Sequence, residues 1–235
     1  GRTEALLAAK GGVGQNDALA STWFACLRYR SFVYDQAPWR DDVATLRAFL
    51  AKLTGAQLLF TEYMSRRVTA GGSFFDDTYW TSPFTTIVTT CSRLWELTGD
   101  TTYIDQALWA SEKIRRDTWN IAQTFRGEQA RVLPDPPPDM LRAIQQRLAP
   151  DEAVLLCAHS SLAGLKESVF TVAITQHEVS FHSCVLGFNL RNNGTLDPVS
   201  KAPYRSTYHT LYTLLFKPVE PLLLNAKRLR MFASG

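Results

Sequence analysis

Apolar residues recur at helical spacing through the first half of the chain and change to short β-type runs in the second half. From Asp17, Leu19, Trp23, Cys26, Leu27 and Val33 lie at helical intervals. A second helix is predicted after Pro38, with Asp41 and Asp42 in its first turn, where carboxylates suit the positive end of the helix dipole. Its stripe is Leu46, Leu50, Leu53, Phe60, Met64 and Val68, and Ala70-Gly71-Gly72-Ser73 breaks it. Ser82 and Pro83 are N-cap and first-turn signals for a third helix carrying Phe84, Ile87, Val88, Cys91, Leu94 and Trp95. Gly99 is placed to close that helix in the left-handed conformation. A fourth follows with Tyr103, Ile104, Ala107, Leu108 and Ile114, and the small Ala107 lets two antiparallel helices approach closely.

A seam at Arg131–Leu156 divides the chain. Pro134, Pro136, Pro137 and Pro138 fix φ and remove backbone donors, so no helix continues through them. Asp139 is an N-cap candidate for a short helix with Met140, Leu141, Ile144 and Leu148 on one face, which Pro150 closes. Beyond it, Ala153–Ala158, Ser168–Ile174 and Val179–Cys184 read as strands, the last two joined across the polar break 175–178. Phe170, Val172 and Ile174 alternate with smaller or polar residues, which predicts a half-buried strand. From Pro203, Leu211, Leu214, Leu215 and Val219 predict a helix with Pro218 and Pro221 near its end, and Leu229, Met231 and Phe232 predict a final strand. Strand, helix, strand is the crossover that builds parallel sheet. Such a sheet needs cover on both faces, so the sequence reads as the front part of a longer fold.

These patterns predict an α + α/β protein: a helical region over residues 1–130, the proline-rich seam and short helix over 131–150, and an α/β region over 151–235. A hydrophobic content of 46% is ample for packed cores. With 25 basic against 22 acidic residues the net charge is +3, and no block of like charge marks a nucleic-acid surface, which leaves nucleic acid only through a partner complex. No run reaches about 18 consecutive apolar residues, so no membrane span is expected. The first residues, with Glu4 where a basic flank belongs, do not resemble a signal peptide, and the expected location is cytoplasmic.

Three groups of residues suggest chemistry. Lys10-Gly11-Gly12-Val13-Gly14-Gln15-Asn16 resembles a phosphate loop, yet Gln15 and Asn16 stand where Lys and Ser/Thr would hold phosphate and magnesium, so it reads as a loop between helices. Cys157-x-His159 and His182-x-Cys184 each place a thiol and an imidazole on one strand face; were those strands neighbours, four zinc ligands could converge. A Cys/His catalytic pair from the same residues would need nucleophile and base within hydrogen-bond reach. The ordinary reading of Cys26, Cys91, Cys157 and Cys184 is core packing, and no catalytic, cofactor or metal residue is assigned.

The hairpin Leu94-Trp95-x-x-Thr98-Gly99-Asp100, with Ala107-Leu108 and Glu112-Lys113 after it, resembles a tetratricopeptide repeat, although it has two extra residues after Asp100 and no closing proline. All six tryptophans precede residue 120, which fits stacked helices and a protein-binding groove. The hairpin and proline seam are followed by Met140-Leu141-x-x-Ile144-Gln145-x-x-Leu148-x-x-Asp151-Glu152-Ala153. After the strand hairpin comes Tyr208-x-x-Leu211-Tyr212-x-x-Leu215-x-x-Pro218-x-x-Pro221-Leu222 and a strand. This order resembles the CHAT family, caspase-like domains that usually follow tetratricopeptide repeats, over about Thr90 to Gly235. The resemblance implies helical repeats that sense a protein partner and a cysteine peptidase that cuts a protein substrate. It also implies a caspase-like α/β sheet, and places the catalytic His and Cys downstream of the Arg228–Phe232 strand. Ala233-Ser234-Gly235 departs from the family, where an Asp-Gly turn is usual. The implied binding partner is a protein or the continuation of the same chain, and the competing reading is a non-catalytic scaffold or assembly subunit.

Overall fold

In a computed structural model, the longest apolar stripe forms α1, Val43–Thr69. Asp41 and Asp42 precede this helix instead of lying in its first turn. Asp42 acts as its cap: its carboxylate accepts from the Ala44 N–H at 3.1 Å and from the Thr45 hydroxyl, because the first-turn N–H groups have no partner inside the helix. The structure describes residues 41–69, 83–125, 133–161, 167–186 and 212–234, with residues 5, 6, 9, 19, 20, 22–24, 26 and 209 besides. The chain divides into two units, residues 1–138 and 139–235. The predicted break at 70–73, and Ser82, lie outside the described residues.

In the helical unit α1 packs with α2, Phe84–Thr98, and α3, Thr102–Phe125. Pro83 sits at the N-cap of α2, one place earlier than its predicted first-turn position. Gly99 closes α2 at φ 68°, its N–H donating to the Trp95 carbonyl at 2.7 Å. That positive φ places a Cβ against the following carbonyl in any other residue. Asp100 then caps α3, accepting from the Thr102 N–H at 3.0 Å and its hydroxyl at 2.8 Å. The short link Gly99–Thr101 folds α3 back on α2, with Ile87, Val88, Cys91, Leu94, Tyr103, Ile104, Ala107 and Leu108 all buried. Ile114 is only half-buried.

From α1, Leu46, Leu50, Leu53, Phe60 and Met64 are buried as the stripe requires, joined by Phe49, Tyr63 and Gln57. Phe24 meets Phe60 and Tyr63 edge-on, at ring separations of 5.4 Å. Polar bridges order the helices. Arg47 Nε donates to Tyr103 Oη at 2.6 Å, Gln106 Nε2 to Thr54 Oγ1 at 2.7 Å, and the Thr61 hydroxyl to Asp117. These pairs rise together along both chains, so α1 and α3 run in the same direction, while Arg93 of α2 holds Asp41 at the start of α1. Residues 43–66 of α1 are long and apolar enough to cross a membrane by length and composition, which a search for unbroken apolar runs overlooked. The stripe of that helix is the core of the helical unit.

The α/β unit opens with α4, Met140–Gln145. Asp139 stands at its N-cap but its side chain makes no capping bond, contrary to the predicted role, and the helix ends well before Pro150. Four strands follow: β1 Glu152–Ser161, β2 Glu167–Thr175, β3 Val179–Leu186 and β4 Arg228–Ser234, in the order β3-β2-β1-β4. β1, β2 and β3 are antiparallel neighbours; β4 lies parallel to β1 on its other edge. The β2–β3 turn is closed by the Thr175 N–H donating to the Glu178 carbonyl at 2.9 Å.

The half-buried pattern expected for β2 does not hold. Every residue from Val169 to Ile174 is buried, Thr171 included. Successive side chains point to opposite faces, so both faces of this central strand are covered. Of the helix predicted after Pro203, residues 203–208, 210 and 211 lie outside the described residues. A π-helical turn, Tyr212–Phe216, ends just before Pro218, which brings no N–H to continue it, and Val219 stands instead at the N-cap of a separate helix, α5, Glu220–Leu223. The Lys217 N–H reaches back to the Tyr212 carbonyl at 2.9 Å. Leu155, Ala173 and Val219 form a core against which Cys157, Phe216, Leu222 and Leu223 pack.

Candidate functional site

Strand register decides the fate of the suspected zinc ligands. Cys157 is opposite Thr171, and Thr171 is opposite His182, so the three form a row across one face. Positions 159 and 184 likewise flank Val169 from β1 and β3. Each thiol and imidazole pair is thus separated from the other by a whole strand, about 10 Å. Donors on one zinc ion lie within about 4 Å of each other. The sequence reading that β2 intervenes is correct, and among the described residues no group of three His, Cys, Asp or Glu could hold a metal ion.

The same spacing puts Cys157 and His182 beyond the reach that a nucleophile and its base require. Burial beneath the α5 core pushes the Cys157 thiol pKa up, and the Thr171 hydroxyl offsets part of that rise. Cys91, fully buried in α2, is pushed up by burial alone. Both thiols are protonated at neutral pH and serve as packing groups, whereas Cys26 is exposed, contrary to the core packing expected of it. The phosphate-loop-like segment 10–16 lies outside the described residues.

A more unusual feature is the free edge of the sheet. Leu229, Met231 and Phe232 of β4 are 47%, 59% and 56% exposed. Leu229 and Met231 share a face with Leu155, whereas Phe232 lies on the opposite face beside Leu156. Edge strands commonly deter further pairing with charged side chains. Here two arginines of β4 reach across to β1 while staying more than half exposed: Arg228 donates to Asp151 Oδ1 at 2.8 Å, and Arg230 pairs with Glu152. The Arg228 guanidinium holds the Asp151 carboxyl below the usual range, and the Ala149 N–H with Arg230 does the same for Glu152.

The second feature is a strap, residues 133–138, laid along α3. Asn120 grips both backbone polar groups of one residue, its Nδ2 donating to the Leu133 carbonyl at 3.1 Å and its Oδ1 accepting from the Leu133 N–H at 2.9 Å. Arg116 Nη1 donates to the Pro134 carbonyl. Lys113 Nζ bridges Asp135 Oδ1 at 2.7 Å and Asp117 Oδ1 at 2.8 Å. Sequence reasoning read the prolines only as a helix stop. The spacing of Lys113, Arg116 and Asn120 puts them on one helix face, but two of their three targets are backbone carbonyls, which leave no mark in sequence. Of the tryptophans suspected of lining a groove, Trp23 is buried, Trp95 and Trp109 are half-buried and Trp119 is exposed on α3, while Trp39 and Trp80 fall outside the described residues.

Comparison with protein-family models, with curated proteins and with solved structures finds no match for this chain.

Proposed function

We propose that this chain is the helical-repeat and leading-strand portion of a CHAT-type, caspase-like cysteine peptidase of the cytoplasm. In this reading the helical unit, built from tetratricopeptide-like hairpins, senses a protein partner. The α/β unit begins the sheet on which a protein substrate is cut, and no cofactor takes part. The attacking Cys and activating His belong to segments that follow β4, consistent with the protonated, packed state of Cys91 and Cys157.

One observation carries the reading. β4 is parallel to β1, lies at the edge of the sheet, and exposes Leu229 and Met231 on one face and Phe232, beside Arg228 and Arg230, on the other. Apolar residues on both faces are what an interior strand of a parallel sheet requires. Further strands beside β4, with helices over both faces, would bury Leu229, Met231 and Phe232 as a caspase-like fold demands.

The test has two parts. The reading frame beyond codon 235 is expected to encode a His and then a Cys in caspase-like order, and a stop codon there would favour the scaffold reading. The 235-residue polypeptide alone is expected to show no thiol-dependent cleavage of a peptide library. Cleavage abolished by iodoacetamide would overturn the placement of the dyad.

A further inference from the structure

We infer that the α3 face formed by Lys113, Arg116 and Asn120 is a peptide-docking site for an extended Pro-Asp-Pro segment, occupied here in cis by the chain's own strap. The inference deepens the partner-sensing part of the reading above, and its test reads peptide binding instead of proteolysis, so either can fail without the other.

The site is built independently of what fills it. Lys113 is anchored by Asp117, whose side chain is 7% exposed, and Arg116 by Glu112 at 2.6 Å, so both cations stay in place when the strap leaves. Such preorganisation lowers the ordering cost of binding. Its three contacts divide the work of recognition. Asn120 and Arg116 read backbone groups of any extended chain, while Lys113 reads a single carboxylate. The ligand is equally prepared. Leu133 and Asp135 both precede proline, which excludes helical backbone, and the prolines hold the rest near the extended polyproline form. Proline-rich segments of this kind dock at little entropic cost.

The cis segment is also poised to leave. The Asp135 side chain is 75% exposed, and only Pro136 among residues 133–138 is buried. The strap therefore holds by a few polar contacts and the burial of Pro136, strengthened by tethering, which supplies an effective concentration on the order of millimolar. A partner presenting the same chemistry on a multivalent surface would displace it and release the residues that lead into α4. The site thus doubles as a latch.

The experiment titrates a fluorescein-labelled peptide with the sequence of residues 132–139 into the full chain and into Asp135→Lys, which sets like charges together at Lys113. Fluorescence anisotropy is expected to show about tenfold or tighter binding to D135K than to the unsubstituted chain, because the tethered competitor is gone. Adding Asn120→Ala to D135K is expected to weaken that binding by about tenfold. No binding to D135K, or binding that Asn120→Ala leaves unchanged, overturns the inference. Should D135K lose its far-ultraviolet circular dichroism, Asp135→Ser replaces it under the same two outcomes.

Discussion

The two units are held together by different means. In the helical unit, polar side chains cross between helices at regular intervals: Arg47 to Tyr103, Gln106 to Thr54, Thr61 to Asp117. In the α/β unit the core around Leu155 and Val219 is apolar, and its ion pairs, Arg228 with Asp151 and Arg230 with the buried Glu152, join β4 to the start of β1. A helix surface offers many nearly equivalent packing registers, and directional bonds select one of them. A sheet sets its register by other means, through the pattern of its buried apolar positions and the geometry of its turns. Polar residues in the first unit therefore help determine how helices align; in the second they accompany an alignment set by apolar burial and turns.

The largest effect that could break this contrast is the loss of Asp117. Asp117→Ala takes the shared partner from the Thr61 hydroxyl and from Lys113, 13% exposed, which keeps only the exposed Asp135. The expected cost is about 3 kcal/mol in urea denaturation followed by circular dichroism. An unchanged midpoint would mean that apolar packing alone aligns the helices.

Gly99→Ala is expected to cost about 1 kcal/mol, through the left-handed backbone alone. A Cβ there meets nothing within 4 Å, so a larger loss would contradict the open space around the turn.

The smallest effect is expected at the sheet's start, where Asp151→Ala should leave the thermal midpoint at pH 7 almost unmoved, since its partner Arg228 is 58% exposed. Acid should reveal what neutral pH hides. Asp42, Asp100, Glu112, Asp151 and Glu152 all have carboxyls held below their ordinary values of 3.8 or 4.5. A depressed folded pKa contributes stability that is complete above the unfolded value and lost as pH falls through the folded one. The midpoint should therefore be flat above about pH 5 and decline below about pH 4 in both units. A decline beginning near neutrality would point to histidine instead.

How far the sequence could be read follows from the same contrast. The α1 stripe, the Gly99 cap and the three β1–β3 strands are local patterns, and all are present as read. The burial of Thr171 was hidden, because it depends on β2 lying between two other strands and beneath α4 and α5. Alternation correctly put Cys157 and position 159 on one face, yet which strands become neighbours is a property of topology. Pro218 was legible as the point near which the helix ends, because a residue without an N–H cannot continue it. The grip of Asn120 on Leu133 had no signal, since any residue at 133 offers the same backbone groups.

The pairing of β4 with β1 also sets the order in which the α/β unit can assemble. β1, β2 and β3 are joined by local connections, whereas Arg228 meets Asp151 across 77 residues. Closing a loop of that length costs roughly 2–3 kcal/mol more in chain entropy than closing a four-residue hairpin. The three-stranded meander is therefore expected to form before β4 pairs with β1. Until β4 pairs, the β1 edge that it covers stays open, and an unpaired edge of this kind is a route to aggregation.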